Sequence, residues 1–97
     1  MVAVYFVILD SEISDPEGLA SISDSLADMV RAHGGRYLVR GEPTEAKGGE
    51  LALKRMAVVE FDSMAQVTAL FEVDAFVELR EQRSRIADTS AFIVEGV

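Results

Sequence analysis

Apolar residues along this chain fall into blocks whose spacing changes from one block to the next. Residues 2–9, Val-Ala-Val-Tyr-Phe-Val-Ile-Leu, form an unbroken apolar run. Its length and its β-branched and aromatic content predict a strand. Both parities are apolar, so that strand needs cover on both faces. Asp10-Ser11-Glu12 reads as its end, and Asp15-Pro16-Glu17 reads as the start of a helix. Asp15 can cap, Pro16 fits the first turn, and Glu17 suits the positive end of the dipole. Leu19, Ile22, Leu26, Met29, Val30 and His33 then recur at helical spacing and make one apolar stripe. Gly34-Gly35 stops that helix, since glycine takes positive φ without a Cβ penalty.

Residues 36–40 read as a short strand, and Gly41-Glu42-Pro43 turns the chain out of it. Residues 41–50 are a polar, glycine-containing excursion. Residues 54–61, Lys-Arg-Met-Ala-Val-Val-Glu-Phe, are a third strand, apolar on both parities except at Glu60. Ser63 and Gln66 have the spacing of a capping box, and Val67, Leu70 and Phe71 supply an apolar helix face. Asp74 restarts the helix, with Phe76, Val77 and Leu79 expected inward and Arg80, Arg83 and Arg85 crowded at its end. Residues 89–95 are the last strand. The order is β-α-β-β-α-β. Right-handed crossovers turn it into an α+β, ferredoxin-like fold, a four-stranded antiparallel sheet with the helices on one face.

That architecture leaves the second sheet face bare. With 97 residues the chain is expected to be a single domain spanning 1–97, yet 49% of it is hydrophobic and its mean hydropathy is +0.21. Covering about 600 Å² of the bare face would be worth on the order of 15 kcal/mol gross, before association costs. The expected partner is a second copy of the chain, packed sheet against sheet. A membrane is not expected, because no apolar run approaches the ~18 residues of a span. The N-terminal run has no basic leader and is too short for a secretory signal. Cysteine is absent, so disulfides and thiolate metal sites are excluded, and a cytoplasmic location is expected.

Net charge is −8, which disfavours nucleic acid as a partner. An RNA-recognition module shares the element order but needs exposed aromatics among basic residues, and residues 54–61 do not supply them. His33 is the one side chain whose unperturbed titration falls near neutrality. It is a candidate general base, or alternatively a helix-end cap bonded to a backbone carbonyl. Arg40 and Glu60 lie on strands expected to be neighbours. They form either a plain ion pair or a site in which Arg40 holds an anionic substrate while Glu60 accepts a proton. Tyr5, Tyr37, Arg80 and Arg83 complete the candidate ligand-binding set; the alternative is that the tyrosines are amphipathic core and the arginines solvated. One histidine and no cysteine argue against a transition-metal site, and no phosphate loop or nucleophile elbow is present. No metal and no cofactor are expected.

Three segments carry a family resemblance: Ala-His-Gly-Gly-Arg-Tyr-Leu-Val-Arg-Gly at 32–41, Val-Val-Glu-Phe-Asp-Ser-Met at 58–64, and Ile-Val-Glu-Gly at 93–96. The chain resembles the domain of unknown function 1330 family, of the dimeric α/β-barrel superfamily, from Tyr5 to Val97. The resemblance implies a ferredoxin-like protomer in a barrel-like dimer, and it implies no activity. Residues 69–73, Ala-Leu-Phe-Glu-Val, depart from the more aromatic stretch expected of the family there. Haem-degrading or cofactor-free monooxygenases of the same superfamily typically use Trp and Asn, and this chain has neither. The reading at this level is a small homodimer with a pocket per protomer, between helices and sheet, for a small anionic organic molecule. If it is catalytic, cofactor-independent proton transfer, isomerisation or oxidation fits best. The alternative is a non-catalytic dimerisation or stress-associated module with no ligand.

Overall fold

The computed structural model describes residues 2–97. Four strands and three helices follow one another as β1 (Val4–Ile13), α1 (Pro16–Ala32), β2 (Arg36–Gly41), β3 (Arg55–Phe61), α2 (Met64–Phe71), α3 (Asp74–Ser84) and β4 (Ala87–Glu95). The strands form one antiparallel sheet in the order β2-β3-β1-β4, the ferredoxin-like arrangement. Val4, Phe6, Val59 and Phe61 stand on one face and pack under Leu26, Val30, Val67, Leu70 and Phe76 of the helices. Phe71 joins this core edge-on to both Phe6 and Phe76, with ring centroids 5.3 and 5.2 Å apart.

The helix α1 begins and ends by local chemistry. Asp15 accepts from the Gly18 amide at 3.0 Å, and Pro16 follows it. At the other end the Gly35 amide donates to Val30 at 2.9 Å and the Gly34 amide to Arg31 at 3.1 Å, a Schellman closure with Gly34 at φ +88°. Gly35 is needed for a different reason: a Cβ there would stand 2.5 Å from Val30 and 3.0 Å from Phe61. The glycine pair thus stops the helix and lets β2 start directly against the core. Ser63 caps α2 through the Gln66 amide, while the Gln66 side chain accepts from Asp62, one residue before the cap.

Two boundaries, one side chain and one register differ from expectation. β1 runs through Asp10-Ser11-Glu12 to Ile13, with a register shift against β4 between Asp10 and Glu12, and β4 correspondingly begins at Ala87. Ser14 then donates its amide to the Ile86 carbonyl at 2.8 Å. Val77, expected inward, is exposed, because α3 buries only Phe76 fully. In β2 the register shifts between Tyr37 and Val39, so Leu38 bulges and Arg40 pairs with Ala57. That last irregularity decides where the site lies. Among the described residues no helix is long and apolar enough to cross a membrane.

Candidate functional site

Strand parity makes the site. On the helix-covered face, Val4, Phe6 and Ile8 are followed at the same parity by Asp10, and Phe61, Val59 and Ala57 run back to Arg55. Asp10 pairs in register with Arg55 on one side and Thr89 on the other. Three adjacent strands therefore turn polar at the same rung, where the last turn of α3 brings Arg83 onto Asp10. A cavity of about 260 Å³ opens there between sheet, α1 and α3. Its apolar floor includes Phe6, Ile8, Leu26, Val30 and Phe76; its polar lining includes Asp10, Tyr37, Thr89 and the guanidiniums of Arg40, Arg55, Arg80 and Arg83.

Asp10 is 2% exposed, and a carboxylate so placed must be answered. Arg83 answers it with two parallel bonds of 2.7 Å, Nη1 to Oδ1 and Nη2 to Oδ2, and Thr89 donates to Oδ1 at 2.7 Å. Arg83 also donates to the Thr89 hydroxyl. Burial alone would raise the Asp10 carboxyl, but the bonds from Arg83 and Thr89 and the charges of Arg83 and Arg55 outweigh it and hold it below its ordinary range. Arg40 is bound at 2.8 Å to Asp24 on α1 and lies over the Tyr37 ring, with Arg31 over the same ring at 5.4 Å. Burial pushes the Tyr37 phenol up, against the pull of Arg40, Arg31 and Arg83. Arg80 lies over Phe71 at 4.8 Å and Phe76 at 5.9 Å. Burial lowers its affinity for a proton, and the neighbouring charge of Arg83 adds to that.

The seven residues singled out from sequence separate into three places. Tyr37, Arg40, Arg80 and Arg83 come together at the cavity. Tyr5 and Glu60 lie on the opposite sheet face, where Glu60 accepts from Arg36 at 2.5 Å and from Tyr5 at 3.1 Å. Those two bonds, Arg36 first, hold its carboxyl below the usual range. The expected Arg40–Glu60 pair does not form. The bulge at Leu38 moves Arg40 to the helix-covered face and leaves Arg36 opposite Glu60. His33 sits at the C-terminal end of α1, its Nδ1–H donating to the Met29 carbonyl at 3.0 Å, away from the cavity. His33→Ala is accordingly expected to cost about 0.5–1.5 kcal/mol, a few degrees in melting temperature, because only the Met29 carbonyl loses a partner.

Asp10, Arg55 and Thr89 were not singled out by sequence reasoning. The signal for Asp10 and Arg55 was present as parity: each is the next same-side position after three apolar ones on its strand. Among the described residues no group of three or more His, Cys, Asp or Glu side chains is placed to hold a metal ion.

Several solved structures share the fold. SnoaB, a cofactor-independent oxygenase from Streptomyces nogalater, superposes with a TM-score of 0.75 at 9% identity, covering 100% of this chain and 95% of its own. A protein of unknown function from Rhodopseudomonas palustris gives 0.75 at 14% identity, covering 99% and 83% respectively. A candidate antibiotic biosynthesis monooxygenase from Nitrosomonas europaea gives 0.69 at 10% identity, covering 99% and 90%. At these identities the likeness is one of fold. No curated protein matches the chain. The sequence pattern of the domain of unknown function DUF1330 matches residues 4–97, nearly the whole length, and the chain belongs to that family.

Proposed function

We propose that the cavity between sheet, α1 and α3 binds a small organic anion with an apolar body, and that the working form is a homodimer joined through the open sheet face. The observation that carries the first part is a concentration of charge. Four of the nine basic residues of an acidic chain line one cavity with an apolar floor. Guanidiniums suit carboxylates by bidentate hydrogen bonding, and the floor suits hydrocarbon. Supporting the second part, the open face carries Val39, Phe92 and Val94, each two-fifths or more exposed, beside Val7, Leu9, Met56 and Val58.

The Tyr37 phenol beside several guanidiniums is also a set able to hold an enolate or carboxylate and move a proton. Turnover, if the protein is an enzyme, is then proton transfer, isomerisation or oxygenation that draws on the substrate's own reactivity. The fold likeness to a cofactor-independent oxygenase agrees with this class and does not select a reaction within it.

Thermal shift against small aromatic and aliphatic carboxylates tests the binding. A ligand at a hundred times its Kd adds about 2.7 kcal/mol, roughly ten degrees or more for a chain this size. The expected result is a carboxylate that shifts the parent protein, does not shift an Arg40→Ala/Arg80→Ala variant, and has a neutral amide analogue without effect. Acids and amides acting alike, or neither acting, would defeat the reading.

A further inference from the structure

The four cavity guanidiniums are not equivalent. Arg83 is engaged by Asp10 and Thr89, and Arg40 by Asp24. Arg55 and Arg80 line the same space, and among the described residues neither has a carboxylate within ion-pair distance. They come from different elements: Arg55 stands across the β1–β3 ladder from Asp10, and Arg80 lies one turn before Arg83 on α3. The Asp10–Arg83 pair ties α3 to β1, the strand hydrogen-bonded to β3, and so holds the two unpaired guanidiniums at one cavity. Arg80 is further held by cation–π contact with Phe71 and Phe76.

We infer that the ligand is a small dicarboxylate, one carboxylate on Arg55 and the other on Arg80, with its hydrocarbon portion on the Phe6, Ile8 and Phe76 floor. The inference rests on the anion-binding reading above and narrows it to a double negative charge carried on two groups. Charge balance supports it: with Asp10 and Asp24 each matched to an arginine, two positive charges remain, on separate groups. Size supports it as well. A cavity of about 260 Å³ has room for a short diacid. A phosphate monoester carries its charge on one group, so both arginines would have to converge on it, whereas a dicarboxylate meets each separately. A monocarboxylate would leave one arginine unanswered.

The test is calorimetry of the full chain at pH 7 with glutarate, benzene-1,3-dicarboxylate, benzoate and inorganic phosphate. At least one dicarboxylate is expected to bind ten- to a hundredfold more tightly than benzoate, the worth of one additional charge-assisted bond set. Arg55→Gln and Arg80→Gln are each expected to erase that preference. Neither substitution orphans a carboxylate, and a melting curve verifies that each variant is folded. Benzoate binding within twofold of both diacids would overturn the dicarboxylate inference and leave the anion site standing. Phosphate binding as tightly as the better diacid would also overturn it. No binding by any of the four probes would overturn the dicarboxylate inference, while the broader screen of carboxylates separately decides the anion site.

Discussion

Asp10→Ala is expected to lower the melting temperature by about 12 °C or more. The substitution removes a carboxylate that is 2% exposed and leaves Arg83, whose side chain is 11% exposed, charged and without its partner. Breaking a buried pair from one side typically costs about 3–5 kcal/mol, and each kcal/mol is worth roughly 4–8 °C in a domain of this length. The loss belongs to the orphaned guanidinium more than to the pair itself. Asp10→Ala/Arg83→Met should therefore recover a large part of it, and a double-mutant cycle by calorimetric melting measures how much. If the single and double variants melt alike, the pair is not what holds β1, α3 and β4 together at this rung. The pH dependence has a defined sign. The Asp10 carboxyl is lowered in the folded protein from an ordinary value near 3.8, so its contribution is fully present above that value. It is lost as pH falls through the still lower folded pKa. Asp10→Asn should flatten the acid limb of stability against pH in that window and leave the neutral plateau lower.

Asp10 also shows where sequence reading ends. The element order, the glycine stop after α1, the caps at Asp15 and Ser63 and the helix break before Asp74 all depend on neighbours within a few residues. Those were legible. The extension of β1 through Asp10-Ser11-Glu12 was not, because a charged triplet reads as a strand end unless something distant neutralises it. The neutralising groups, Arg83 and Thr89, lie 73 and 79 residues away. The β2 bulge is equally silent. Nothing in Arg-Tyr-Leu-Val-Arg announces that Leu38 will be skipped, yet that one-residue shift decides which face Arg40 joins. Four of the seven singled-out residues, Tyr37, Arg40, Arg80 and Arg83, meet at the cavity. His33 was singled out by its chemistry and its place at the end of the α1 stripe, and Glu60 by its charge within a strand expected beside Arg40; neither signal says what the side chain will meet.

The open face calls for the largest change in state from a single substitution. Phe92→Asp is expected to convert the proposed homodimer, at micromolar concentration, into a monomer, read by size-exclusion chromatography with light scattering. Phe92 pairs in register with Val7, which pairs in turn with Val58, so its ring stands in an apolar row crossing three strands. It is 55% exposed, and Val94 beside it is 51% exposed. A two-fold interface uses the same patch on both copies, so one substitution places two unpartnered carboxylates in it. Each unanswered buried charge costs at least about 3 kcal/mol, and the two together weaken association by more than ten-thousandfold. The helix-covered core of the protomer does not include Phe92, so the monomer should keep its secondary structure by circular dichroism. Phe92→Leu should remain dimeric, since it keeps the face apolar. A parent protein that elutes as a monomer at micromolar concentration would remove the homodimer. It would leave the arginine-lined cavity untouched, because that cavity lies on the other side of the sheet.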